Sequence, residues 1–140
     1  MERQQSLGWQ IAVLAKRMTD DLDAVLKCHG LSIIVWPALY LLWEEEGVNH
    51  IELSKRCWTL QSTTSIALEN LEEIGLIDRK PDPQYPQVKL IFLTDRGRFM
   101  RDSLLRAEQK IIDRTLAALD EPDKNELFEL IRSLNQHDLT

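Results

Sequence analysis

The sequence is poor in the residues that build stapled, metal-bound or membrane-embedded proteins. Its two cysteines, Cys28 and Cys57, lie far apart with no Cys-x-x-Cys spacing, so neither a disulfide framework nor a zinc ribbon is indicated. Cys28 beside His29, and His50 with Cys57, are zinc-ligand types, but their spacing matches no metal site, and no metal or cofactor is expected. No apolar run approaches the roughly 20 residues needed to span a bilayer. The opening MERQQSLGWQ has no short apolar stretch and no small-residue cleavage site, so a cytoplasmic location without a membrane partner is expected. There is no Gly-rich phosphate loop and no nucleophile with a paired base, so an enzyme is not expected. Positive charge is also scarce. The chain has 17 basic against 23 acidic residues, a net charge of -6, which opposes attraction to a polyanion when averaged over the molecule. Any contact with DNA therefore needs a local basic surface.

What is present is an alternation of helical periods. With 44% hydrophobic and 29% charged residues, the 140-residue chain has the composition and length of one globular domain with a real core. Leu7, Ile11, Leu14, Met18, Leu22 and Val25 recur at steps of three and four, predicting a first helix over residues 6–28. Gly30 supplies its stop, and Pro37 places the start of a second helix near Val35, ended by Gly47. Asn49 and Glu52 have capping-box spacing, predicting a short third helix from about Ile51 to Trp58. Thr64, Ala67, Leu68, Leu71 and Ile74 share one face of a fourth, over Ser62 to Ile74, closed by Gly75. The period then changes. Ile77–Lys80 and Val88–Leu93 are rich in β-branched and apolar residues around PDPQYP, which predicts a β-hairpin with a stiff tip. Thr94 caps a long helix carrying Phe99 through Leu119, and a last helix opens at Asp120 with Pro122 in its first turn. Two short helices joined by a tight turn and followed by a hairpin make a winged helix-turn-helix. The expected fold class is thus mainly α with a small β-hairpin wing, flanked by long N- and C-terminal helices.

In this order and at these separations several fragments resemble the MarR family of bacterial transcriptional regulators. They are Gly30-Leu31-Ser32 before Trp36 and Leu39, Glu52-Leu53-Ser54-Lys55-Arg56, Ser62-Thr63-Thr64-Ser65, Leu71-Glu72-Glu73-Ile74-Gly75-Leu76-Ile77, and Leu93-Thr94-Asp95-Arg96-Gly97. The resemblance implies a single domain over 1–140, with dimerisation helices at 1–30 and 95–140 and a winged lobe at 31–94. It implies a triangular homodimer, palindromic double-stranded DNA sites and, often, release by a small aromatic acid or by oxidation. The dimer seam is expected from Leu7, Ile11, Leu14, Leu116, Leu127, Leu130, Ile131 and Leu134.

The fourth helix would then be the recognition helix, presenting Ser62, Thr63, Ser65, Ile66, Glu69 and Asn70. Hydroxyls reach phosphates and bases, Asn pairs with adenine, Glu accepts from cytosine, and Ile touches a thymine methyl. Lys55, Arg56, Arg79, Lys80 and Lys89 are the expected phosphate contacts. Two departures from the family stand out. Ile66 replaces a common arginine, and the wing's usual Asp-x-Arg pair is here Tyr85 and Gln87 around Pro86, so the minor-groove arginine is missing. Peroxide sensors of the family place a reactive cysteine near the positions of Gln10 to Met18, which Cys28 does not match. The family's effector pocket would fall near Met18, Trp36 and Tyr40. The alternative function is a degenerate winged-helix module that binds protein, with weak or no affinity for DNA.

Overall fold

The computed structural model describes residues 6–137. Its order is α1 (Leu7–Lys27), a 3-10 turn (Ile33–Val35), α2 (Trp36–Glu44), β1 (Val48–Asn49), α3 (His50–Arg56) and α4 (Gln61–Ile74). β2 (Ile77–Pro81), β3 (Lys89–Leu93), α5 (Asp95–Phe99), α6 (Arg101–Thr115) and α7 (Glu121–His137) follow. This is the mainly helical winged-helix fold expected from the sequence.

Local chemistry sets most of these limits. Asn49 accepts a hydrogen bond from the Glu52 amide at 2.9 Å and so caps α3. Gly75 ends α4 in the left-handed region at φ 86°, where a side chain would be strained. Asp120 opens α7 by accepting from the Asp123 amide at 3.0 Å. Two features depart from expectation. The hairpin is widened to three antiparallel strands in the order β1-β3-β2, because Val48 and Asn49 pair with Ile91 and Leu90. The long helix after Thr94 is also two helices, α5 and α6, interrupted at Met100, and it ends at Thr115 rather than continuing through Leu119. Met100 keeps helical angles (φ -74°, ψ -16°), so the interruption leaves the chain direction largely unchanged.

One apolar core binds these elements. Leu22 and Leu26 of α1, Leu39 and Leu42 of α2, Leu53 of α3, Leu68 and Leu71 of α4, Ile77, Ile91 and Leu93 of the sheet, and Leu104 and Ile111 of α6 all belong to it. Each such side chain contributes about 1.5–3 kcal/mol by leaving water. The core stops halfway along α1. The N-terminal half of that helix leaves Leu7, Trp9, Ile11 and Val13 exposed, and none of the described side chains of α7, residues 121–136, is buried.

The segment after β3 clamps the end of α4. Thr94 donates its hydroxyl to the Gly75 carbonyl at 2.7 Å and its amide to the Leu76 carbonyl at 3.0 Å. Arg96 donates to the Ile74 carbonyl at 2.9 Å. These carbonyls would otherwise be left without partners at the helix end. Gly97 then packs so close that a Cβ would lie 2.2 Å from the Leu76 oxygen, while its own carbonyl accepts from the Trp43 indole at 3.0 Å.

Gly97→Ala should therefore cost roughly 1–3 kcal/mol or prevent folding, because backbone must move to admit the methyl. Gly8→Ala is the matched control. Its Cβ would meet only the Ser6 hydroxyl at 3.8 Å, and an alanine in this first turn of α1 should stabilise by up to roughly 0.5–1 kcal/mol. Urea unfolding of both variants checks the contrast.

Candidate nucleic-acid interface

The helix-turn-helix pair is fastened from inside. His50 at the start of α3 lies 2.9 Å from the Gln61 carbonyl at the start of α4. A carbonyl only accepts, so the imidazole donates from Nε2; Ser65 Oγ lies 3.4 Å from the same nitrogen. The Thr59 and Thr64 hydroxyls bond each other at 2.8 Å across the turn. These contacts fix the angle at which α4 leaves α3 and thereby aim its free face.

That face is narrower than the sequence suggested. With Thr64, Ala67, Leu68 and Leu71 buried, helical spacing puts Ser62, Ile66, Glu69 and Glu73 outermost. The six residues expected there divide three ways. Ser62, Ile66 and Glu69 stay on the open face. Ser65 is half-buried and turned toward His50. Thr63 and Asn70 require correction. Thr63 lines a small crevice with Ile34 and Pro37, and Asn70 lines the cleft between α4 and the end of α1, with Lys27 and Ser32. Sequence reasoning missed Glu73, whose three- and four-residue spacing from Asn70 and Glu69 was the available signal.

The five expected cations also divide. Arg56 is ion-paired with Glu45 at the end of α2. Arg79 lies 3.2 Å from a Glu72 oxygen of α4, and its Nε is buried without an aligned hydrogen bond. Distance makes this an ion pair, but its angle is poor, so part of the guanidinium's donor capacity is unused. Lys80 sits over the Phe92 ring at 5.1 Å. Lys55 and Lys89 are exposed and have no ion pair among the described residues. Of the five, two are thus freely available and two are compensated by glutamates. Over residues 31–94 the sequence has nine acidic and five basic side chains, so the lobe as a whole is negative.

At the wing tip Asp82 accepts from the Gln84 amide at 2.8 Å, and its own amide bonds the Val88 carbonyl at 2.8 Å. Tyr85, Pro86 and Gln87 are all exposed.

A further concavity, of 380 Å³, is lined by Trp36, Pro37, Tyr40, Leu41, Arg56, Cys57 and Glu108. Trp36 meets Tyr40 at 6.0 Å and Trp43 edge-on at 5.6 Å between ring centroids. Two of the three residues expected at an effector pocket come together here. Met18 does not; it packs against the core from α1. Glu108 of α6 was not foreseen. Burial pushes its carboxyl above the usual range, with the Trp36 indole opposing as a donor, and it has no cation partner among the described residues. Burial likewise raises the Cys57 thiol, against the pull of Arg56, so Cys57 is not an activated thiolate.

Comparison with known proteins places this geometry. Residues 32–84 match the model of the MarR family. A transcriptional regulator named TtmR from Methylorubrum extorquens is 35% identical over 82 residues, covering 58% of this chain and 42% of that protein's own length. A MarR transcriptional regulator from Methanosarcina mazei superposes with a TM-score of 0.89 at 20% identity, covering 95% of this chain and 96% of that one. A MarR family protein from Mycobacterium tuberculosis, solved in complex with DNA, superposes at 0.75 with 22% identity, covering 92% of this chain and 97% of that one.

The compensated arginine yields a test. Glu72→Gln should free Arg79 for a phosphate, strengthening duplex binding and steepening log affinity against log salt by up to about 0.9. Fluorescence anisotropy titrations on labelled DNA across salt concentrations measure the slope.

Proposed function

We propose that this chain, whose residues 32–84 match the MarR family model and whose fold superposes on that of a MarR transcriptional regulator, is a transcriptional repressor that binds a palindromic operator as a homodimer. The observation that carries this reading is the division of its exposed side chains. Eight of the exposed large apolar side chains lie on the two helices the core leaves open, Leu7, Trp9, Ile11 and Val13 on α1 and Phe128, Leu130, Ile131 and Leu134 on α7, while the outer face of α4 is unobstructed and polar except for Ile66. In this reading residues 31–94 form the DNA lobe and the flanking helices form the dimer frame. Leu7, Ile11, Leu130, Ile131 and Leu134 are exposed in the protomer and supply the seam. Leu14, Leu116 and Leu127, already half-covered, line its edge. Exposed apolar stripes of this extent are characteristic of surfaces buried by association.

The recognition helix enters the major groove by its N-terminal half, so Ser62 and Ile66 meet base edges, with Glu69 deeper along the groove. Lys55 and Lys89 flank it for phosphates. That a Mycobacterium tuberculosis MarR family protein of similar fold has been solved in complex with DNA supports the DNA-binding reading. The aromatic cleft at Trp36 and Tyr40 is the effector site. Its half-buried carboxylate, Glu108, favours an aromatic ligand carrying a hydrogen-bond donor or positive charge over the aromatic acid that the resemblance implied.

One observation favours a second reading. Glu69 and Glu73 occupy outermost positions of α4, a surface suited to a basic protein partner. A binding selection from random duplex DNA decides between the two. Recovery of a palindromic sequence supports the repressor, whereas no retained duplex at low salt supports the protein-binding module.

Light scattering should find a dimer at micromolar concentration. Leu130→Asp should yield a folded monomer, since this side chain is 57% exposed in the protomer and its charge stays solvated once the partner leaves. A native monomer would refute the dimer. For the cleft, an aromatic amine should quench tryptophan emission and release DNA in parallel, more strongly than the carboxylic acid of the same ring. Trp36→Ala should abolish both responses.

A further inference from the structure

The turn between α3 and α4 holds the described chain's only non-glycine residue with positive φ, Trp58 at 56°. Its neighbours explain the geometry. The Thr59 amide bonds the Ser54 carbonyl at 3.1 Å and the Trp58 amide bonds the Lys55 carbonyl at 3.2 Å. This paired pattern closes the end of a helix with the intervening residue left-handed, a position that glycine normally fills. A Trp there is strained, because its Cβ crowds the following carbonyl. Burial does not repay the strain, since Trp58 is 67% exposed and Leu60, two residues on, is 74% exposed. Backbone strain of this kind marks a place where something other than folding requires the side chain.

The location narrows what requires it. Leu60 is the N-cap of α4 and offers no side-chain acceptor, so the first-turn amides of α4 have no side-chain cap, two residues after Trp58. The outward residues that follow are Ser62 and Ile66, so Trp58, Leu60, Ser62 and Ile66 are all exposed over the turn and the first half of α4. A helix that enters a groove by its N-terminal end brings the preceding turn to the sugar-phosphate backbone at the groove's edge.

We propose that Trp58 is a DNA-contacting residue, laying its ring on a deoxyribose and donating its indole N–H to a phosphate oxygen at the entrance of the groove occupied by α4. This rests on the DNA-binding reading above. It supplies a contact that needs no positive charge, on a lobe with few free cations. The indole is a donor only and its ring is largely apolar, so both halves of the contact suit a sugar-phosphate strand.

The test uses opposite signs. Trp58→Gly relieves the left-handed strain, so the full-length protein should unfold at a temperature higher by roughly 2–5 °C. The same variant should bind a duplex selected from a random library about tenfold more weakly than the native protein. Trp58→Phe keeps the ring and loses the donor, and should fall between the two in affinity. Native affinity in Trp58→Gly, with the native protein binding the same duplex, overturns the proposal and leaves the DNA reading standing. A large loss of thermal stability in Trp58→Gly with native affinity in Trp58→Phe also overturns it, since the indole is then a packing residue. If the native protein binds no duplex, both readings fall and these exposed residues belong to a protein contact.

Discussion

The end of α4 is the point on which the rest of the molecule depends. Three carbonyls in succession, those of Ile74, Gly75 and Leu76, receive hydrogen bonds from Thr94 and Arg96 rather than from water. The helix that leads out of the winged lobe thus begins by completing the helix that faces outward from it. Gly97 makes the approach tight enough that backbone touches backbone, and Trp43 secures the other side through the Gly97 carbonyl. Glu46 adds a second tie. Burial works against its charge, yet Arg98 and the Leu93 amide hold its carboxyl below the usual range. Four elements, α2, α4, β3 and α5, therefore share one rigid junction.

The mechanical consequence follows from the bonds. The lobe tilts relative to the flanking helices most readily by moving this junction as a unit, since partial movement breaks these hydrogen bonds at about 0.5–1.5 kcal/mol each. Farther along, α6 is tied to α1 by packing and by an exposed pair of Arg114 with Asp21, which is too solvated to add much. Leu104 and Ile111 provide the real adhesion. A ligand between Trp36 of α2 and Glu108 of α6 would act across the joint between lobe and frame, where a small change in spacing alters the aim of α4 without disturbing the clamp.

Most of the fold was legible because its signals are local. Leu22, Leu26, Leu68 and Leu71 repeat at helical spacing, Gly75 marks a stop, and the prolines between Ile77 and Leu93 mark a hairpin tip. The misses came from contacts between distant segments. β1 is two residues long, too short for any periodicity, and exists only because Ile91 is there to pair with Val48. The interruption at Met100 has no proline or glycine to announce it. Thr63 and Asn70 looked outward because the inward stripe was read without the 3-10 turn that covers one flank of α4. The pairing of Arg79 with Glu72 joins β2 to α4 and has no sequence signature. Trp58 escaped notice for a different reason. Its residue type argues against the left-handed backbone it adopts, and such conflicts between local preference and final structure concentrate at functional sites.

Electrostatics then sets the kind of recognition available to this lobe. A surface whose glutamates compensate Arg56 and Arg79 gains little from counterion release, the source of most non-specific affinity for DNA. Besides Lys55 and Lys89, what remains are short-range contacts, namely the Ser62 hydroxyl, the Ile66 side chain and the uncapped amides at the start of α4. These weaken sharply with distance and tolerate little misfit, whereas Lys or Arg attracts phosphate from several ångströms away. Glu69 adds discrimination of a negative kind, because a carboxylate near a base edge is accepted beside the cytosine amino group and repelled by exposed carbonyls and phosphates. A lobe built this way has a low ceiling for binding to arbitrary DNA. In the DNA-binding reading, preference for one sequence then depends on rejecting the others as much as on attraction to the right one.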